Sequence, residues 1–108
     1  MASGQIVKFR PNIGYNDELL TVSNSVQVLT PSKYAPSAAT PGGAESAVIT
    51  NYGDSLRYTY SGTTPSASVG HVLPTGGVLV LQGQNQISAF KCIRVSTDTE
   101  IYITYERE

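Results

Sequence analysis

The side chains that could do chemistry are few and lie far apart in the sequence. His71 is the only histidine and Cys92 the only cysteine, so one chain holds no set of His and Cys ligands for a metal, and a nucleophile would have at most one imidazole as its base. Ser66 and Ser68 precede His71, but neither lies in the Gly-x-Ser-x-Gly context of a nucleophile elbow. We therefore expect no catalytic residue, no cofactor and no metal, with His71 as a turn residue and Cys92 as a small core residue.

The acidic residues do not form a recognisable site either. Asp17, Glu18 and Asp54 could supply oxygen ligands to Ca²⁺, yet no loop has the alternating oxygen ligands of a calcium site. We expect most of the acids to be solvated in turns or near the chain ends. The segment TPGGAES at residues 40–46 is rich in glycine but lacks the lysine and the following helix of a phosphate-binding loop. It is predicted to be a turn.

The composition favours a single domain that packs among neighbours. The chain has 108 residues and a formal charge of −1, and 14% of its residues are charged, against ~25% in ordinary soluble domains. Because it has no run of basic residues, the chain lacks the footprint of a nucleic-acid-binding protein. A surface built mainly from Ser, Thr, Asn, Gln and Gly suits association better than separation by charge.

The same composition bears on location. A single cysteine cannot form an internal disulfide, and no segment approaches the ~20 apolar residues of a membrane span. The N-terminal residues contain no apolar run of signal-peptide length. We expect a soluble protein that folds in a reducing cytoplasm and binds no membrane.

Hydrophobic residues alternate with a period of two along most of the chain, which predicts an all-β fold. Turn-forming residues separate about eight short strands, which is typical of a single antiparallel β-sandwich, and we expect a jelly-roll-like one. No segment has helical spacing long enough to predict a helix. The predicted strands cover residues 5–9, 19–22, 25–29, 47–51, 55–60, 77–82, 87–95 and 100–106.

Two segments do not follow this alternation. Residues 1–18 are predicted to be an irregular N-terminal arm, because Pro11 and Gly14 interrupt strand pairing, and residues 19–108 are then the sandwich domain. Within that domain the three prolines and two glycines of residues 30–46 predict an irregular loop. Tyr34 is the only aromatic residue of this loop. We expect another chain to bury it as an interface anchor, or otherwise its own domain.

One predicted strand is apolar on both faces. Residues 78–81 read Val-Leu-Val-Leu, so that valines point to one side and leucines to the other. The first interpretation is a strand covered on both sides within the domain. The alternative is that one of its faces meets another subunit.

The order of several short motifs in the second half of the chain is distinctive. An Arg-Tyr strand precedes Gly-Thr-Thr-Pro at residues 62–65, and Gly70 and Leu73 follow. Then come LVLQG at residues 79–83, an Ile-x-x-Phe strand at 87–90 and a closing segment that ends in Tyr-Glu. Over residues 48–106 this order resembles the small virion proteins of tailed bacteriophages, which occur as capsid decoration (cement) proteins and as parts of tails or fibres.

The resemblance implies a β-sandwich or jelly roll that catalyses nothing and binds the major capsid protein as a symmetric oligomer, commonly a homotrimer. Such a protein is made in the bacterial host cytoplasm and braces the shell of the virion. A tail, baseplate or fibre component is the alternative within this class. An alternative of another class is a carbohydrate-binding module, because the chain has seven tyrosines, with Tyr58 and Tyr60 on one predicted strand face.

The candidate interface residues lie on the arm, on the 30–46 loop and in the polar segment after residue 61. Proline stiffens these segments, and the hydroxyl groups of the polar one can hydrogen-bond across a wet contact. The candidates are Phe9, Tyr15, Lys33, Tyr34, Pro36, Thr64, Pro65 and His71.

Overall fold

The computed structural model describes residues 13–35 and 43–107 and contains eight strands and two short helices in those ranges. The strands are β1 (Ile13–Val22), β2 (Gln27–Val28), β3 (Ser46–Asn51), β4 (Leu56–Thr59), β5 (His71–Leu73), β6 (Val78–Gln82), β7 (Lys91–Arg94) and β8 (Thr99–Arg107). The helices are α1 (Pro31–Tyr34) and α2 (Gln84–Ala89). Neither of these described helices is long or apolar enough to cross a lipid bilayer.

The strands form two antiparallel sheets of four strands each. The first sheet has the order β1-β8-β3-β6 and the second the order β2-β7-β4-β5. Strand β1 pairs with β8, β2 with β7, β3 with β6 and β4 with β5. The chain therefore runs as one long antiparallel ribbon that turns back between β4 and β5 and is folded over itself. The predicted all-β, sandwich-like architecture is confirmed.

The core lies between the two sheets and follows the alternation of the strands. In β8, Ile101, Ile103 and Tyr105 are fully buried, whereas Tyr102 between them is 39% exposed. The same alternation buries Leu56 in β4 and Cys92 in β7. The other buried apolar side chains of the described core are Val22, Leu29, Tyr34, Ala44, Ala47, Ile49, Leu73, Leu81, Ile87 and Phe90.

The fully buried carboxamide of Asn51, at the end of β3, joins three chain connections. Its amide nitrogen donates to the carbonyl oxygens of Asp54 (2.8 Å), Leu73 (3.0 Å) and Pro74 (3.2 Å). Its amide oxygen accepts from the Gly53 N–H (3.1 Å) and the Thr99 hydroxyl (2.6 Å). One side chain thus holds the β3–β4 turn, the β5–β6 turn and the start of β8 together.

Strand β1 begins at Ile13, so the predicted end of the irregular arm at residue 18 is wrong. Residues 13–18 belong to β1, which pairs with β8 along its whole length except for an irregularity between Gly14 and Asn16. Gly14 does not break the pairing, because its missing side chain permits close approach: a Cβ there would lie 3.0 Å from a methyl carbon of Thr104. The predicted strand at residues 5–9 lies outside the described residues.

Two further elements differ from the expectation. Residues 84–89 form helix α2, so the strand predicted over 87–95 is only Lys91–Arg94. The helix was missed because six residues are too few for helical spacing to show, while Ile87 and Phe90 are both buried in the core. Strand β5 was missed because its three residues pair with β4 across a polar loop. The predicted irregular loop contains helix α1 and the first residue of β3, and its residues 36–42 are not described.

We predict that Asn51→Ala lowers the free energy of unfolding by about 3 kcal/mol, because it leaves several buried groups, including the Leu73 carbonyl and the Thr99 hydroxyl, without their partner. Denaturant unfolding of the variant and the parent protein measures the difference. The exposed Asn24→Ala is the matched control and should change stability by less than about 0.5 kcal/mol. Equal losses in the two variants would show that the Asn51 bonds contribute nothing specific.

Candidate interaction surface

The side of the first sheet that faces away from the core, called the outer face below, is unusually apolar. Cross-strand pairing places Leu19, Tyr102, Thr50 and Val78 in one row that crosses all four strands. The neighbouring row is Asp17, Thr104, Val48 and Val80. Side chains of these rows are exposed to 61% at Val78, 59% at Leu19, 48% at Val80 and 39% at Tyr102. These rows form one apolar stripe that the described chain does not cover.

Charge is sparse on this stripe and increases beside it. The only charged residue of the two rows is Asp17, whose carboxylate accepts a hydrogen bond from the Thr104 hydroxyl at 2.7 Å. Glu100 and Glu106 occupy flanking positions of β8, Glu100 beside Thr21 and Glu106 beside Ser46. An apolar centre with a polar rim is the usual anatomy of a protein interface.

The position of β6 decides between the two interpretations of the Val-Leu-Val-Leu run. Strand β6 is at the edge of the first sheet, and its leucines point inward, where Leu81 is buried. Its valines point to the outer face and are exposed. The first interpretation, a strand covered on both sides within the domain, is wrong for the described residues. The uncovered valine face remains as a candidate contact surface.

A second candidate site is an aromatic cluster in the second sheet. The ring of Tyr58 lies 5.3 Å from His71, 5.9 Å from Phe90 and 6.4 Å from Tyr60, measured between centroids, and Tyr60 lies 6.0 Å from His71. A cavity of about 460 Å³ beside it is lined by Tyr60, His71, Val69, Gly70 and three hydroxyl residues, Thr59, Ser61 and Thr63. Aromatic faces next to hydroxyl groups can bind a polar ring such as a sugar.

The loop that borders this cavity packs closely on β4 at Gly70 and is bound by the Arg57 side chain. Gly70 has φ of +124°, and a Cβ there would lie 2.9 Å from the Tyr58 carbonyl oxygen. Arg57 donates to the carbonyl oxygens of Gly70 (2.8 Å) and Ala67 (3.2 Å). Of the predicted interface residues on this loop, Thr64 is exposed and Pro65 is buried. His71, another predicted interface residue, begins β5 directly after the loop; it is exposed, and its ring stacks on that of Tyr60.

Three other predicted interface residues, Tyr15, Lys33 and Tyr34, lie around helix α1 and strand β1. The Tyr15 hydroxyl donates to the Lys33 carbonyl oxygen at 3.0 Å, and the Lys33 ammonium donates to the Asp17 carbonyl oxygen at 3.1 Å. The Arg107 guanidinium lies 4.5 Å from the Tyr15 ring centroid. Burial raises the pKa of Tyr15, and Arg107 partly opposes this. The remaining two predicted residues, Phe9 and Pro36, lie outside the described residues.

Tyr34 is buried by its own domain, so the second of its two expected environments is the one observed. Its side chain is 8% exposed, and its ring lies 6.1 Å from that of Tyr105. The Tyr34 carbonyl oxygen accepts a hydrogen bond from the Ala44 N–H at 2.7 Å. Tyr34 therefore anchors helix α1 to the core. The sequence pattern around residue 34 could not reveal this, because the apolar surface that covers the ring comes from residues far away in the sequence.

Glu18 is a buried polar residue that the sequence analysis placed in solvent. It is 9% exposed, and its carboxylate accepts hydrogen bonds from the Tyr105 hydroxyl at 2.7 Å and from the Thr30 hydroxyl and N–H. Burial, and then the bond to Glu18, raises the pKa of Tyr105. The sequence did contain an indication of this burial: Glu18, Leu20 and Val22 are spaced two residues apart, which places Glu18 on the inward face of β1.

The remaining candidates for chemistry have structural environments. Cys92 is fully buried, and this burial raises the pKa of its thiol to about 12. The Asp54 carboxylate accepts from the Thr97 hydroxyl (2.6 Å) and the Ser55 N–H (2.8 Å), and these bonds lower its pKa. Within residues 13–35 and 43–107, no group of three or more His, Cys, Asp or Glu side chains is arranged to hold a metal ion.

We predict that Tyr34→Ala lowers the free energy of unfolding by about 3 kcal/mol, as expected when a buried aromatic side chain is removed. Tyr52→Ala is the matched control, because Tyr52 is 65% exposed, and it should change stability by less than about 0.5 kcal/mol. Thermal and denaturant unfolding measure both variants. An unchanged melting temperature for Tyr34→Ala would contradict its role as an internal pin.

The described surface therefore offers two candidate sites, the apolar outer face of the first sheet and the aromatic cavity of the second. The outer face is suited to a macromolecular partner and the cavity to a small polar ring. Comparisons of the chain with models of protein families, with curated proteins and with solved structures find no match.

Proposed function

We propose that this chain is a structural protein of a bacteriophage virion, in the first place a capsid decoration protein that docks on the major capsid protein. The observation that carries the proposal is the outer face, on which Val78, Leu19, Val80 and Tyr102 are exposed together. Contiguous apolar surface of this kind marks interaction sites on soluble proteins. The resemblance of residues 48–106 to small virion proteins names the class of partner.

The strand order supports a jelly roll. Each strand of the ribbon pairs with its counterpart, β1 with β8 through to β4 with β5, and the folded ribbon yields the orders β1-β8-β3-β6 and β2-β7-β4-β5. Two four-stranded sheets wound in this way are the arrangement of jelly rolls, which occur in viral capsid and lectin domains. This support is an analogy of fold, so the functional argument rests on the outer face.

A decoration protein of this type works through binding free energy alone. Each Å² of apolar surface removed from water contributes about 25 cal/mol, and a stable interface buries roughly 800 Å² on each partner. The exposed valines, Leu19 and Tyr102 would form the apolar centre of such a contact, and Glu100 and Glu106 would lie at its rim. Binding many copies to equivalent sites of a shell would brace the shell without any chemical step. A tail, baseplate or fibre location is the alternative within this class.

Analysis of purified virions tests the proposal. We expect mass spectrometry to detect the chain in particles at hundreds of copies if it decorates the head, and at a handful if it is a tail component. Absence from purified particles would overturn the proposal.

We predict that Leu19→Lys lowers the affinity for the capsid shell about tenfold or more, because a charge then occupies the apolar centre of the contact. Val72→Lys is the matched control, since Val72 is 50% exposed but lies on the second sheet. Occupancy on reconstituted particles measures the effect, and circular dichroism verifies that both variants fold. Equal occupancy of the two variants would place the capsid contact elsewhere.

The aromatic cavity favours a second candidate, a carbohydrate-binding module. The stacked rings of Tyr60 and His71 beside Thr59, Ser61 and Thr63 combine an aromatic face with hydroxyl groups. We predict that, if the cavity binds sugar, Tyr60→Ala abolishes saturable binding on a glycan array while Tyr52→Ala retains it. Failure of the parent protein to bind any glycan would remove this candidate.

A further inference from the structure

Within residues 13–35 and 43–107, the hydrogen bonds along β6 leave one set of its backbone groups open. The Asn51 N–H donates to the Gly77 carbonyl oxygen at 3.0 Å, and the Gly83 N–H donates to the Glu45 carbonyl oxygen at 2.6 Å. The Gly77 carbonyl, the backbone groups of Leu79 and Leu81, and the Gly83 N–H therefore point toward the β3 side, in agreement with the register of the two strands. Because backbone groups alternate in direction along a strand, the N–H and C=O groups of Val78 and Val80 face the open edge of the sheet.

One end of this edge is closed by a side chain. The Gln82 N–H also points outward, and the side-chain oxygen of Gln86 in α2 accepts its hydrogen bond at 2.7 Å. The backbone N–H and C=O groups of Val78 and Val80 can therefore pair with an incoming strand, whereas the Gln82 N–H cannot, because it is already bonded to Gln86. This restriction matters because it selects among the possible pairing registers.

The other three sheet edges in the described structure carry the usual protection against strand addition. Strand β1 has two acids, Asp17 and Glu18, and an irregularity near Gly14. Strand β2 has two residues, and β5 has three and is followed by Pro74. Strand β6 has five residues with no charge and no proline. An apolar edge that carries no charge and no proline invites pairing with another strand.

We infer that β6 pairs with β6 of a second copy about a two-fold axis at Leu79, which joins two first sheets into one of eight strands. In this antiparallel register Val78 lies opposite the partner's Val80, and Val80 lies opposite the partner's Val78. Both are hydrogen-bonded pairs, so the four open N–H groups of the two copies each find a carbonyl oxygen. Gln82 lies across from the partner's Gly76, which has no side chain to obstruct it.

A second copy is the occupant because the strand is complementary to itself. A two-fold axis places each residue of β6 near its own copy, so any charge on β6 would lie close to a like charge, and β6 has none. The valine side chains of the two copies adjoin on the outer face and extend the apolar rows across the axis. The net charge of −1 adds little repulsion between copies. The inference is independent of the virion proposal, and its two-fold symmetry differs from the trimer that the resemblance implies.

Val80→Pro tests the pairing selectively. Proline removes an N–H that faces the open edge and leaves the odd-numbered ladder to β3 intact. We expect the parent protein to be a dimer by native mass spectrometry and sedimentation equilibrium. We expect Val80→Pro to raise the dimer dissociation constant on the order of 30-fold, as the loss of one backbone hydrogen bond per copy implies. Val80→Thr, which keeps the N–H and the branched shape, should remain dimeric.

Disulfide trapping tests the register. Val78→Cys mixed with Val80→Cys should give a cross-linked heterodimer under oxidation, because facing Cα atoms in a hydrogen-bonded pair lie about 5.5 Å apart. Neither variant alone should cross-link, since equal positions then lie on a diagonal. The buried Cys92 does not compete. A monomeric or trimeric parent protein, a dimer dissociation constant that Val80→Pro leaves unchanged in a folded variant, or cross-linking of Val80→Cys with itself would overturn the inference.

Discussion

The carboxamide of Asn51 is the buried interaction on which the arrangement of the first sheet depends. It binds the Leu73 and Pro74 carbonyl oxygens, and the Asn51 backbone binds Gly76 and Gly77, so side chain and main chain together hold the β5–β6 turn. This turn sets the register of β6 on β3. The register decides which residues of β6 face the core, which face solvent and which backbone groups remain open. The proposed contact surface thus depends on a polar group that is buried beside the start of β6.

A second buried polar group performs a similar role at the opposite side of the sheet. Glu18 accepts hydrogen bonds from Tyr105 and from Thr30, which lies directly before helix α1. Tyr34 packs beside Tyr105, and Tyr15 binds the Lys33 carbonyl oxygen. A carboxyl group at 9% exposure is tolerated because the hydrogen bonds from Tyr105 and Thr30 compensate for lost water. These contacts attach the segment after β2 to the domain. Two of the tyrosines involved, Tyr15 and Tyr34, were predicted from the sequence to be interface residues.

The low charge and the uncovered apolar face both suit a protein that associates with other chains. A monomer that must remain separate usually places charges on its sheet edges and keeps its apolar patches small. Here the outer face is apolar across four strands, and its edge strand β6 is uncharged. The proposed docking on a larger shell would cover the face, and the proposed pairing between copies would cover the edge. These two proposed contacts are compatible because one uses side chains and the other uses backbone groups.

The alternation of residues determined the all-β class and the approximate positions of β3, β4, β6 and β8, because it is a local property of the strand. It also showed correctly that Val78 and Val80 share a face. Whether that face is covered depends on strand order, which arises from pairing between residues far apart in the sequence. For the same reason only the tertiary structure revealed that β6 is an edge, that Glu18 and Tyr34 are buried, and that Tyr58, Tyr60 and His71 stack. Helix α2 and strand β5 are too short to carry a period, so their conformations are decided by contacts with the rest of the fold.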